Sequence, residues 1–166
     1  MTGFRTHLEL DDADLQRMFS GLLSMGQNLA PVLDEIGAYV EMSTKERFES
    51  NIAPDGTPWT PSHRAQAEGG RTLLNEGHLR DSINRAPASQ DEVVVSTNLI
   101  YAAIHQTGGT IVPRSAKKLA FKTPFGMAFL DEVTLPARPF FGLSAEDNRA
   151  IPEVALDYYE EVAGGR

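Results

Sequence analysis

Apolar residues recur at Leu15, Met18, Leu22, Met25, Leu29, Val32, Ile36 and Tyr39, the a and d positions of nearly four heptads. Phe19, Leu23, Leu33 and Val40 widen the stripe on one flank, so it reads as a globular core face more than a narrow coiled-coil seam. Such a face serves either the interior of the chain or a contact between subunits. Pro31 interrupts the pattern. It lacks a backbone donor and clashes with the preceding turn, which predicts a break or kink near Asn28 to Pro31 and two helices, about 12–28 and 31–50. Asp11 or Asp12 supplies the first N-cap, and Asp14 suits the positive end of that helix. Thr6 to Leu10 reads as a short strand ahead of it.

The periodicity then stops. Asn51 to Gly70 holds three prolines and three glycines, with a turn signal at Pro54-Asp55-Gly56, and predicts a long loop over about 53–72. Trp59, the single tryptophan, either anchors that loop on the core or offers a contact to another protein. Leu73 to Ile83 reads as a turn and a short helix, with Leu74, Leu79 and Ile83 inward. Residues 86–90 form a loop, and Asp91 to Thr97 a strand led by Val93, Val94 and Val95.

Asn98 to Ile111 has the pattern around which the rest can pack. Asn98 is the predicted cap of a short helix, and Tyr101, Ile104 and His105 share one of its faces. Gly108 and Gly109 stop the helix and turn the chain into a strand at Ile111 and Val112. Arg114 to Lys118 is a loop. Leu119 to Phe121 starts a strand, 123–126 a hairpin turn, and Met127 to Val133 the return strand. Leu135 to Phe141 is extended and pinned by prolines. Ser144 with Asp147 is close to a capping box for a last helix, whose apolar positions are Ile151, Val154, Leu156 and Tyr158. Pro152 is expected to delay that helix to about residue 151, and residues 164–166 to fray. The expectation is one α+β domain over residues 1–166. It has an N-terminal helical pair, a small, mostly antiparallel sheet with a short helix, and a C-terminal helix.

Composition narrows the class. The chain has 166 residues, 41% of them hydrophobic and 23% charged, as an ordinary folded domain has. No apolar run approaches the 18 or so residues of a membrane span, and the opening MTGFRTHLELDD lacks the layout of a signal peptide. Without cysteine there is neither a disulfide framework nor a thiolate metal site. The net charge of −8 is uneven. Residues 1–50 carry 9 acidic and 4 basic side chains, 51–130 carry 6 and 8, and 131–166 carry 8 and 3. The overall sign argues against general affinity for nucleic acid. A basic centre between acidic ends suits self-association or docking to charged partners, and a solvated surface is the commoner reading of such scattered charge.

Candidate chemistry is sparse. His63, His78 and His105 with Asp81 or Glu76 match no metal-ligand spacing, and His78 and Asp81 at i, i+3 suggest a surface ion pair. Ser20, Ser82 and Ser96 lack a nucleophile elbow, and no phosphate-cradling glycine loop is present. No catalytic residue, metal or cofactor is expected. Arg114, Lys117, Lys118 and Lys122 form a basic run beside Phe121 and Phe125. That pattern can bind single-stranded nucleic acid or meet an acidic face of a neighbouring subunit.

In order along the chain stand Arg47-Phe48, Pro54-Asp55-Gly56-Thr57-Pro58-Trp59, and Leu73-Leu74 with Gly77-His78-Leu79-Arg80-Asp81-Ser82-Ile83. Then come Thr97-Asn98, Tyr101-Ala102-Ala103-Ile104-His105-Gln106, Gly108-Gly109-Thr110-Ile111 and Pro136-Ala137-Arg138-Pro139-Phe140-Phe141-Gly142-Leu143-Ser144. This ordered set, over about residues 47–145, resembles the phage virion morphogenesis family, which includes tail-completion proteins. It departs from the family at Asn75-Glu76, where relatives often carry a threonine. The resemblance implies a non-enzymatic structural protein of a phage or prophage. Its place would be tail completion or head–tail joining, as a tail terminator would act. It would form a homo-oligomeric ring that meets tail-tube and head-connector proteins, at the virion neck or tail end after assembly in the host cytoplasm. No membrane partner is implied, and DNA contact is the weaker option. Trp59, Arg114, Lys117, Lys118, Lys122 and Arg138 are then the candidate oligomer or partner contacts. Tyr101, His105, Gly108 and Gly109 form a structural motif.

Overall fold

A computed structural model describes residues 12–123 and 126–164. The expected strand at Thr6 to Leu10, the capping choice of Asp11 and the tip of the 123–126 turn lie outside the described residues.

Helices α1 (Ala13–Ser24) and α2 (Ala30–Ser50) form the predicted pair. Asp12 caps α1, its carboxylate accepting the amides of Asp14 and Leu15, each at 2.9 Å. The helix stops several residues earlier than the periodicity predicts. Gly26 takes φ +74°, and the Gly26 and Gln27 amides donate back to the Leu23 and Leu22 carbonyls, each at 3.0 Å. That glycine closure ends α1. Pro31 falls in the first turn of α2, where its missing donor costs nothing. It therefore starts a helix and does not kink one.

Leu15, Leu22, Leu29, Val32 and Ile36 bury their side chains against Ile151 and Ala155 of α6 (Asp147–Gly164), with Met18, Phe19, Met25, Leu33, Tyr39 and Val40 packed around them. The heptad is thus the core face of a three-helix layer. Leu23 is 56% exposed, so the flanking stripe is narrower than predicted. Two expectations for α6 need correction. It starts at Asp147 and runs through Pro152, because the Ser144–Asp147 pair fixes its start: the Asp147 amide donates to Ser144 Oγ at 3.1 Å, and the Ser144 amide donates to Asp147 Oδ2 at 2.7 Å. Leu156 faces outward, 43% exposed, while Ala155, Tyr159 and Val162 take the inward positions that helical spacing from Ile151 demands.

The C-terminal half of α2 serves a second core. Phe48 packs with Ala53, Trp59, Leu79, Ile83, Ala102, Phe140 and Phe141. Every described strand pair is antiparallel, but the strands form three separate two-stranded ribbons where one sheet was expected. β1 (Ile83–Arg85) pairs with β2 (Val95–Thr97), β3 (Gly109–Ile111) with β6 (Val133–Leu135), and β4 (Leu119–Thr123) with β5 (Gly126–Leu130). Only the last part of the predicted 91–97 strand is strand. The predicted return at 127–133 splits into β5 and β6, because β6 leaves the hairpin to pair with β3.

The long loop is better organised than its prolines suggest. It contains α3 (His63–Glu68), capped by Ser62 Oγ, which accepts the Ala65 amide at 3.2 Å. Asn51, left-handed at φ +57° beyond α2, holds both ends: its Oδ1 accepts the Thr72 amide at 2.6 Å and its carbonyl the Trp59 amide at 2.8 Å. The short helices α4 (His78–Asp81) and α5 (Ala102–Thr107) follow.

Candidate functional site

The joint built from α5 and the 136–141 segment comes first. Asn98 does not cap α5. Thr97 Oγ1 accepts the Leu99 amide at 3.2 Å and the Ala102 amide reaches the Leu99 carbonyl at 3.1 Å, so a turn intervenes and Tyr101 occupies the cap. Gln106, which the sequence reading passed over, is the central side chain. Its Oε1 accepts the amides of Phe140 and Phe141 at 3.0 and 3.1 Å, and its Nε2 donates to the Phe141 carbonyl at 2.9 Å. A side-chain amide thus stands in for a neighbouring strand. The Arg138 amide donates to the His105 carbonyl at 2.7 Å, completing the seam.

Trp59 and Arg138 face inward, at 5% and 4% exposure. Trp59 meets Phe48 edge-on, with ring centroids 5.4 Å apart, and its Nε1 donates to the Pro139 carbonyl at 2.9 Å. Arg138 Nε donates to the Thr60 carbonyl at 2.7 Å. Of the two readings of Trp59, anchoring is the one this geometry serves. Arg138 likewise ties the extended segment to the loop and offers little surface to a partner.

Gly108 turns the corner at φ +69°, and a Cβ there would stand 2.7 Å from the Ala137 amide nitrogen and 3.0 Å from the Leu135 carbonyl oxygen. Both neighbours are backbone and cannot swing away. Gly108→Ala should therefore lower unfolding free energy by about 1–3 kcal/mol, the usual cost of a side chain held in a sparsely populated conformation. A denaturant midpoint unchanged from wild type would show that the corner relaxes freely.

His105 stacks edge-on with Tyr101, centroids 6.2 Å apart, and its buried Nδ1 has no hydrogen-bond partner among the described residues. Burial, and then the positive charge of Arg138, hold its pKa below the ordinary 6.5. A group with a depressed folded pKa favours the unfolded state once protonated. Stability should therefore fall as pH drops below about 6.5, and flatten once the folded pKa is passed. His105→Gln should remove the part of this slope that sets in below about pH 6.5, as read by chemical unfolding across pH. An identical slope in the variant would assign it elsewhere.

His78 takes no part in this joint. His78 Nε2 lies 2.9 Å from Glu76, not paired with Asp81 as its spacing suggested, because Asp81 is held by Arg80 at 2.7 Å. Among the described residues no group of three or more His, Cys, Asp or Glu is placed to hold a metal ion.

The remaining candidates gather at the β4–β5 hairpin. Arg114 and Lys117 are exposed on its approach, with no acidic partner among the described residues, and Lys118 meets Asp131 at 3.4 Å. Lys122 lies on β4 in register with Met127. Directly opposite residues share a face of a ribbon. One face carries Leu119, Phe121, Ala128 and Leu130, the other Ala120, Met127 and Phe129. Phe121 is 36% exposed, Leu130 45%, Met127 57% and Phe129 59%. Both faces of this ribbon carry exposed apolar side chains.

Three comparisons bear on this arrangement. The profile of the phage virion morphogenesis family matches residues 10–160. The chain is similar to a protein of Haemophilus influenzae described as "Mu-like prophage FluMu G protein 2", at 28% identity over 156 residues, covering 92% of this chain and 96% of that relative. No solved structure matches it.

Proposed function

Because the chain belongs to the phage virion morphogenesis family, we propose that it is a non-catalytic structural component of a phage or prophage particle, acting in tail completion or head–tail joining as an oligomeric ring. The observation that carries this reading is the family match across residues 10–160, which takes in both helical cores, the α5 joint and the hairpin. The exposed apolar ribbon supports it, because patches of this kind usually mark contacts with other proteins. Tail-tube and head-connector proteins are the proposed partners, and the neck or tail end of the virion the proposed location. The alternative, a nucleic-acid-binding module on 114–122, draws less support. With Lys118 held by Asp131, two or three phosphate contacts would give a salt slope of only about −2 to −3.

The test is genetic. Deleting this gene from a phage genome that carries it should leave filled heads and unattached or irregular tails in electron micrographs, and the protein supplied in trans should restore whole particles. Normal infectious particles without the gene would overturn the proposal.

A further inference from the structure

An isolated two-stranded ribbon is marginally stable in water and needs a third strand or a packed surface to hold it. Among the described residues β4–β5 pairs with no third strand, yet carries Met127 and Phe129 on one face and Phe121 and Leu130 on the other. Its approach holds Arg114 and Lys117, two exposed cations without acidic partners among the described residues. The chain also presents a surface of the opposite kind. On the outer side of α6, Glu153, Leu156, Asp157 and Glu160 fall at i, i+3, i+4 and i+7 and so share one face. All four are exposed, and none of the three acids has an ion-pair partner among the described residues. The inward face of the same helix is taken by Ile151, Ala155, Tyr158, Tyr159 and Val162.

Resting on the assembly role proposed above, we infer that the β4–β5 hairpin of one copy docks on the outer face of α6 of the next copy. Met127 and Phe129 would lie over Leu156, and Arg114 and Lys117 beside the acids. Charge complementarity selects a second copy as the occupant: Arg114 and Lys117 at the base of this hairpin match acids on α6 that have no ion-pair partner among the described residues. The two patches are different surfaces of the same protomer, so the contact is heterologous. Head-to-tail contacts of this kind do not stop at dimers: they close into rings where the rotation between copies closes, and run on as filaments where it does not.

The experiment is a mixing series read by light scattering across protein concentration and salt. The hairpin variant is Met127→Glu with Phe129→Glu. The helix variant is Glu153→Lys with Asp157→Lys and Glu160→Lys. All five side chains are exposed, and thermal unfolding confirms that each variant is folded. The wild type should form a discrete ring-sized oligomer that weakens with added salt. Each variant alone should be monomeric. Their equimolar mixture should stop at two chains, since each pair then retains one competent joint. Arg114→Glu with Lys117→Glu provides a second route that leaves the ribbon untouched. It should lose the oligomer, and combining it with the helix variant should restore it. A wild-type oligomer that survives either variant overturns the assignment, as does a mixture that grows no larger than its components. A wild type that stays monomeric at every concentration also removes the second copy as occupant. If deleting the gene then still blocks particle formation, the assembly role stands and the ribbon belongs to another virion protein. If deletion has no effect, that role falls as well.

Discussion

Asp147→Ala should cost about 3–5 kcal/mol of unfolding free energy, because it leaves the Arg47 guanidinium buried without its counter-charge. Arg47 and Asp147 are 6% and 1% exposed and in direct contact. Arg47 Nη1 also donates to the Phe140 carbonyl at 2.6 Å and Nη2 to Ser43 Oγ at 3.1 Å, while Ser43 Oγ donates to Asp147 Oδ1 at 2.5 Å. The same carboxylate accepts the Ser144 amide that opens α6. One side chain therefore satisfies a buried cation, caps a helix and joins the two cores. Replacing both charges, Arg47→Met with Asp147→Leu, should recover a good part of the loss. The remaining deficit should be about 1 kcal/mol for the missing cap.

Acid should act on this pair as well. Burial alone would raise the Asp147 pKa, but the Ser144 amide, the Ser43 and Ser144 hydroxyls and Arg47 together hold it below its ordinary 3.8. A carboxylate with a depressed folded pKa contributes stability above its unfolded value and loses it as pH falls through the folded one. The loss from this pair should therefore begin below about pH 4 and complete below the folded pKa. Denaturant unfolding of the single and double variants checks the first claim. A single variant within about 1 kcal/mol of wild type would mean that water reaches Arg47 and the pair is not buried in solution.

Trp59→Ala should be comparably severe, at about 3–5 kcal/mol, because it empties the centre of the second core where Phe48, Phe140 and Phe141 meet. Trp59→Phe separates two contributions. It keeps most of the packing against Phe48 but leaves the Pro139 carbonyl without its donor, at a cost of about 1–3 kcal/mol. Trp59 is the single tryptophan, so its fluorescence reports unfolding of the wild type directly, and circular dichroism serves the variants. If Trp59→Phe unfolds with Trp59→Ala, the indole hydrogen bond dominates. If Trp59→Ala is mild, the loop is anchored by Asn51 and Arg138 instead.

Much of this was legible in the sequence where one local rule acted alone. An aspartate cap at the start of α1, the heptad positions, the Gly108-Gly109 corner and the Ser144–Asp147 cap follow from side-chain chemistry within a few residues. The errors fall where a second rule competed. Gly26 ended α1 before Pro31 could act, and Thr97 took the turn assigned to Asn98. Pro152 was carried along by a helix whose start was already fixed and whose inner face packs on α1 and α2. The long-range partners left no local trace. Gln106 reads as one more polar residue at a helix end until the Phe140 and Phe141 amides arrive opposite it. Trp59 and Arg138 could be placed inside or outside only once residues 80 and 78 positions away in sequence had closed over them. The basic run at 114–122 was visible, but the apolar ribbon beside it depends on the β4–β5 register.

That ribbon also sets a condition on how the protein can be stored and made. Leu119 to Leu130 reads LAFKTPFGMAFL, a segment of high strand propensity with a single charge. Among the described residues its two strands pair only with each other, so no third strand covers its outer edges. Open, apolar, weakly charged edges are templates for strand addition by other chains. Lys122 within the segment, Lys117 and Lys118 just before it and Asp131 and Glu132 just after it are the charges placed to discourage this. A surplus of this protein over its binding sites should therefore drift into β-rich aggregates. A cell producing particles would need to hold its synthesis close to the demand for finished joints.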